Sequence, residues 1–197
     1  MNSTDNTIQA LEWHEHIRLH PEMYIGNIGD GSDLEDGIYM ILKGLIECSV
    51  DEFEKGYTQG LEIEIDSLNV SLREYGRGIP LDSVVNSTSG ISVGIGARKD
   101  VVTTNGYKVA NALSEEFLVN SFRSATRCWA MYSKGVLANQ KIEEDKNQEP
   151  NGTWVKFTLD KELFPKSYYR LEIVKDIVKH YAEKYKGFSI SLNGYKQ

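Results

Sequence analysis

Four stretches of the 197-residue chain bring chemically useful side chains close together. Gly44, Cys48, Asp51 and Glu52 follow one another at one-turn spacing, which puts a thiol and two carboxylates on one side of a helix. Taken alone, this is the solvated acidic edge of an amphipathic helix, although a glycine in a helix interior costs roughly 0.5–1 kcal/mol and Gly44 therefore asks for a close-approach reason. Glu74-Tyr75-Gly76-Arg77-Gly78-Ile79-Pro80 closes an alternating strand with two glycines, a turn that lets another group approach the main chain and whose Arg77 can pair with Glu52. Residues 87–106, rich in Ser, Gly and Thr, lead into a helical pattern and can offer backbone N–H groups to a phosphate. They contain neither Gly-Lys-Ser/Thr nor a complete Gly-x-Gly-x-x-Gly, and by themselves read as a surface loop. Gly90-Ile91-Ser92-Val93-Gly94 has nucleophile-elbow spacing, but polar Asn86-Ser87-Thr88-Ser89 stands where the buried strand should be and His180 is the only histidine downstream, which disfavours a serine hydrolase. Asn151-Gly152-Thr153 opens a run of alternating Val155, Phe157 and Leu159; alone it is an ordinary hairpin turn.

The elements that must position these residues follow from hydrophobic period. Residues 6–20 carry Ile8, Leu11, His14 or Glu15, and Arg18 on successive turns until Pro21 forces the chain out of helix. A loop through Gly26, Gly29 and Gly31 comes next. Ser32 with Glu35 has capping-box spacing, after which Ile38, Ile41, Leu42, Leu45, Ile46 and Phe53 recur at helical spacing as far as Gly56. Leu61, Ile63 and Ile65, then Leu68, Val70 and Leu72, alternate on either side of an Asp66-Ser67 turn and predict a hairpin. Residues 107–114 read as helix, and strands are expected over 117–122, 127–132, 137–142 and 153–159, with a turn at Lys134-Gly135. Ile173, Val174, Ile177, Val178, Tyr181 and Tyr185 make a last amphipathic helix closed by Gly187. Helices bracketing a run of antiparallel strands give an α+β class.

A formal charge of −7, from 22 basic and 29 acidic residues, with 40% apolar residues, describes one domain spanning residues 1–197 with a substantial core. No apolar run reaches the roughly 18 residues of a membrane span, and residues 1–5 lack the features of a signal peptide, so the expected location is cytoplasmic. Cys48 and Cys128 are too few for a disulfide framework or zinc cage and read as buried thiols. Without a Lys/Arg cluster the chain lacks a DNA-binding footprint, so DNA is expected only through other domains. Phe188, Ile190 and Leu192 run into Asn193-Gly194, a hairpin turn with three residues left, which suggests an N-terminal fragment of a longer protein, the alternative being a frayed native terminus.

In their order, these pieces resemble the N-terminal ATPase domain of bacterial type II topoisomerase B subunits, gyrase B and especially topoisomerase IV B. Arg18-Leu19-His20-Pro21-Glu22-Met23-Tyr24-Ile25-Gly26 is similar to the family's Arg-x-x-Pro-x-Met-Tyr-Ile-Gly, and Gly76-Arg77-Gly78-Ile79-Pro80 to its second motif. Asn111-Ala112-Leu113-Ser114 and Gly152-Thr153 match later landmarks. The resemblance implies a GHKL (Bergerat) two-layer sandwich, with helices on one face of a mixed, largely antiparallel sheet and ATP held between the layers.

The same resemblance assigns roles. Glu74 takes the place of the aspartate that accepts from the adenine amino group, one methylene of about 1.5 Å longer. Thr153 matches the threonine beside the adenine-bound water, Glu52 and Arg77 the structural ion pair, Gly78, Ile79 and Pro80 the adenine-side wall, and Arg123 a pocket-edge arginine. Leu45, Leu72 and Val155 would line the floor, and Asp51 lies on the same helix. Gly44 and Cys48 occupy the positions of the water-activating glutamate and the magnesium-holding asparagine. A general base is worth roughly 10²–10⁴ in rate, and a thiol is a poor ligand for a hard cation, so hydrolysis should be crippled and Mg²⁺ poorly held. No residue is thus expected to act as a catalyst or metal ligand. The phosphate lid is shortened, with Gly106 its clearest matching glycine, so ATP or another nucleotide should bind weakly. The family implies an ATP-dependent homodimer, with this piece alone a monomer. The alternative reading is a pseudo-ATPase that serves as an interaction or regulatory module.

Overall fold

The computed structural model describes residues 11–90 and 105–196. Helix α1 covers Trp13–Leu19 and stops where Pro21 cannot continue it; a single turn, α2 (Glu22–Ile25), follows Pro21 where only loop was expected. Residues 6–10 of the expected first helix lie outside the described residues. Helix α3 (Gly37–Glu54) is the long central helix and buries Ile38, Ile41, Leu42, Leu45 and Ile46 along one stripe. Its start corrects the expected Ser32/Glu35 capping box. Asp36 is the N-cap, and its buried carboxylate accepts from the Gly31 and Asp33 N–H groups at 2.9 and 3.1 Å, tying the glycine loop to the helix instead of capping it.

Strands β1 (Gly60–Asp66) and β2 (Asn69–Glu74) form the expected hairpin, turning at Ser67-Leu68 with Ser67 at φ 57°. After a 3-10 turn at Leu81–Ser83 come α4 (Val84–Thr88), α5 (Asn105–Ala112), β3 (Ser114–Arg123), β4 (Thr126–Ser133), β5 (Val136–Glu144), β6 (Gly152–Leu159), α6 (Leu171–Lys184), β7 (Ser189–Leu192) and β8 (Tyr195–Lys196). The sheet order is β5-β4-β3-β6-β2-β1-β7-β8, antiparallel throughout except for the parallel β1–β7 pair. Two expectations change. Asn151-Gly152 is not a hairpin turn, because β6 leaves β5 at the edge and inserts between β3 and β2. Asn193-Gly194 does have a returning strand, two residues long, pairing Leu192 with Tyr195.

One face of the sheet is apolar and covered: Leu61, Ile63, Val70, Leu72, Phe117, Val119, Ala130, Tyr132, Val155, Phe157 and Ile190 all lie in the same core as the buried stripes of α3 and α6. The intervening Glu62, Glu64 and Lys156 are exposed, the alternation expected of an antiparallel sheet with one wet face. Burying apolar side chains at roughly 1.5–3 kcal/mol each is what offsets chain entropy in a domain of this size. Among the described residues no helix is long and apolar enough to cross a membrane.

Candidate functional site

Glu74 ends β2 and Thr153 begins β6, and the register places them directly opposite one another. Both point to the helix-covered face, with Glu74 4% and Thr153 4% exposed. The Glu74 carboxylate accepts from the Gly76 N–H at 2.5 Å and from the Thr153 hydroxyl. Burial pushes its carboxyl above the ordinary range, and those two hydrogen bonds pull the other way. A buried carboxylate beside a hydroxyl is a polar spot in an apolar floor, the arrangement by which a pocket fixes a ligand's orientation.

The surrounding turn is held by close backbone approaches and by side-chain anchors. Gly152 (φ 137°) has no room for a side chain, since a Cβ there would stand 2.1 Å from the Glu74 carbonyl oxygen. Gly78 (φ 72°) lies where a Cβ would be 2.8 Å from the Phe122 carbonyl oxygen. Ser121 Oγ donates to the Ile79 carbonyl at 2.6 Å and Arg123 Nη1 to that of Gly78 at 3.0 Å. Glu52, buried near the end of α3, takes Arg77 Nη2 at 2.7 Å and Nε at 3.2 Å, while the Arg77 guanidinium lies 3.7 Å from the Tyr57 ring centre.

Leu45, Leu72, Glu74, Thr153 and Val155, all expected, line one small hollow between α3 and the sheet. Ser49, Leu61 and Tyr107, not anticipated, complete it. Ser49 follows Leu45 by four residues on one helix face, and that periodicity alone identifies it. Other expected residues stand near the hollow without lining it. Asp51 pairs with Lys55 at 2.7 Å, Pro80 is exposed, and Arg123 anchors the turn. Glu52, Arg77, Gly78 and Ile79 form the supporting frame.

Cys48 is buried, its thiol donates to the Gly44 carbonyl at 3.3 Å, and burial pushes its pKa up to about 12. Gly44 has its close-approach reason. Helix α5 crosses α3 there, and a Cβ on Gly106 would lie 2.3 Å from the Gly44 carbonyl oxygen and 3.2 Å from Cys48 Sγ. Gly106, expected in a phosphate-facing lid, packs here against Gly44 of α3. Glu47 turns away from this crossing and accepts from the Tyr181 hydroxyl of α6 at 3.0 Å. Residues 91–104, including Ser92 and most of the expected lid, lie outside the described residues.

The far end of α5 is fixed as well. Arg18 Nη1 donates to the Ala112 carbonyl at 3.0 Å while its other arm pairs with Asp160, and Asn111 Nδ2 donates to the Thr88 carbonyl at 2.8 Å. Among the described residues no three His, Cys, Asp or Glu side chains converge to hold a metal ion.

A central helix is thus laid over a mixed sheet, with an acid and a hydroxyl opposite one another on two strands beneath it. No family model matches the chain. The B subunit of DNA topoisomerase 4 from Borreliella burgdorferi is 41% identical over 198 residues, a match covering 98% of this chain and 33% of that protein. The B subunit of DNA gyrase from Staphylococcus epidermidis is 30% identical over 212 residues, covering 98% of this chain and 32% of its own. The crystal structure of the 43K ATPase domain of Thermus thermophilus gyrase B in complex with an aminocoumarin superposes with a TM-score of 0.77 at 23% identity, covering 95% of this chain and 50% of that one. Over 98% of its length the chain is homologous to topoisomerase IV B and gyrase B, and its fold matches that of the gyrase B 43K ATPase domain. It spans about a third of the length of the curated relatives it matches.

Proposed function

We propose that the chain is the purine-recognising domain of a type II topoisomerase B-subunit-like protein, taking an adenine nucleotide at Glu74 and Thr153 without hydrolysing it. The observation that carries this reading is the paired acid and hydroxyl opposite one another on β2 and β6, above a floor of Leu45, Leu72 and Val155. Glu74 offers the acceptor an exocyclic amino group needs, and the aliphatic floor offers the flat apolar surface a purine ring needs. ATP and Mg²⁺ would be the family's ligands, and this chain's residues suit only the first of them.

The magnesium side does not fit. Gly44 has no atom with which to deprotonate water, and Cys48 presents a soft, protonated and buried thiol where a hard oxygen is wanted. Glu47, the nearest carboxylate in sequence, is engaged with Tyr181 on the other side of the helix. No hydrolytic step follows from these residues. In the cell, DNA would be engaged by parts of the protein beyond this domain, in the cytoplasm, and nucleotide would favour pairing of two copies.

A second reading, a pseudo-ATPase that acts as an interaction module with no nucleotide at all, is favoured by the size of the hollow, which encloses only about 10 Å³. Phosphate release separates activity from its absence. The chain is expected to release none from ATP above the buffer rate, and release that is Mg²⁺-dependent and saturable in ATP would refute the reading of Gly44 and Cys48.

A further inference from the structure

The polar groups at the floor of the cleft suit a purine, while the space does not, and the one aromatic ring among the residues that wall the hollow is that of Tyr107. About 10 Å³ is roughly what a single water needs, far less than a purine. Tyr107 is 6% exposed and lines the hollow together with Glu74, Thr153 and the aliphatic floor. Its hydroxyl and that of Thr153 interact, as do Thr153 and the Glu74 carboxylate. A flat aromatic ring with a polar group at its edge stands against the acid and hydroxyl that would face a purine.

The ring is held there by its neighbour in sequence. Gly106 lies on the backbone of Gly44 so closely that neither helix could approach further with a Cβ on residue 106. The crossing of α3 and α5 at two glycines therefore sets the depth to which Tyr107 enters. We propose that Tyr107 is a built-in occupant of the purine hollow, and that an adenine nucleotide is admitted only when α5 withdraws from α3 and carries the ring out. The proposal rests on the adenine reading above for the identity of the ligand. Its content is an intrasteric block. Apparent affinity is reduced by the fraction of molecules in which the hollow is open.

Two variants open the hollow by different routes. Gly106→Ala forces α5 off Gly44 while keeping the ring, whereas Tyr107→Ala removes the ring; Tyr107→Phe keeps the ring and loses only the hydroxyl. Calorimetric titration with adenylyl imidodiphosphate is expected to give binding roughly 10- to 100-fold tighter for Gly106→Ala and Tyr107→Ala than for the wild-type chain, with Tyr107→Phe staying within a few-fold of wild type. Hydrogen exchange of the α5 amides, residues 107–112, should quicken in the wild-type chain when saturated with the analogue. Wild type binding as tightly as Gly106→Ala, with α5 exchange unchanged or slowed, overturns this proposal and leaves the adenine reading standing. Tighter binding by Tyr107→Ala alone would mean a carved cavity and also overturns it. Binding by no variant overturns both, since the hollow then takes no purine.

Discussion

The contact between Gly44 and Gly106 gives a sharp contrast between two chemically identical substitutions. A Cβ added at Gly44 meets nothing closer than the Gly106 Cα at 3.4 Å, whereas one added at Gly106 would lie 2.3 Å from a backbone oxygen. Restoring ordinary contact requires α5 to retreat by about the difference, 3.4 − 2.3 = 1.1 Å. A backbone oxygen has no rotamer by which to yield, so the helix itself must move. Forcing such a shift in a packed interior costs roughly 1–3 kcal/mol. Gly44→Ala instead gains helix propensity, worth up to about 1 kcal/mol in a helix interior. Gly44→Ala is therefore expected to be neutral or slightly stabilising, and Gly106→Ala to be less stable than it by about 1–3 kcal/mol. At roughly 2–4 °C per kcal/mol for a domain of this size, melting temperatures should separate by roughly 2–12 °C. Urea denaturation gives the same comparison free of the temperature dependence of ΔG. Equal stability of the two variants would refute the helix crossing from which the placement of Tyr107 follows.

Other outcomes follow from the same geometry. Glu74 is held above the ordinary glutamate value of 4.5 by burial, so the folded chain binds that proton more tightly than the unfolded chain; its contribution to stability is present at low pH and is lost as pH rises from about 4.5 through the folded value. Glu74→Gln should accordingly gain on the wild type between pH 4.5 and 7 in denaturation midpoints, and a pH-independent difference would contradict the burial. Arg77→Ala strips the guanidinium from buried Glu52 and from the Tyr57 face; because the Arg77 side chain is 41% exposed, the expected loss is about 1–2 kcal/mol by thermal melting, and an unchanged midpoint would make the pair solvent-screened. Cys48, with its thiol near pKa 12, and buried Cys128 should both resist maleimide at pH 8 until the chain is unfolded, as read by intact mass. Labelling of Cys48 in the folded chain would mean that α5 does not cover it.

Much of the scaffold was readable because its signals are local. The stripe from Ile38 to Phe53 could only be an amphipathic helix, and the alternation from Leu61 to Leu72 could only be a hairpin with one buried face. Asn151-Gly152 misled because turn chemistry specifies a local bend and says nothing of which strand the next one joins; β6 finds its neighbours across the sheet. Ser32 and Glu35 misled because a capping box needs only four residues, while Asp36 wins the helix start by also gathering the N–H groups of the glycine loop. In the site, the polar pair and the aliphatic floor were legible through the motif order. Tyr107 was not, because its position depends on how closely two helices pack, and the only sequence trace of that packing is a pair of glycines 62 residues apart, from 106 − 44. Gly44 showed itself as an unexplained cost in a helix, and Gly106 explains it.

The proposed function needs a cleft whose Glu74 carboxylate accepts from adenine and whose Gly44 and Cys48 positions neither hold magnesium nor activate water. Calorimetric titration of the wild-type chain and of Glu74→Leu with adenylyl imidodiphosphate, in Mg²⁺ and in EDTA, tests it most directly. Wild type should bind weakly with the same affinity in both buffers, and Glu74→Leu should not bind. Binding that requires Mg²⁺, or that survives the loss of the Glu74 carboxylate, would contradict it.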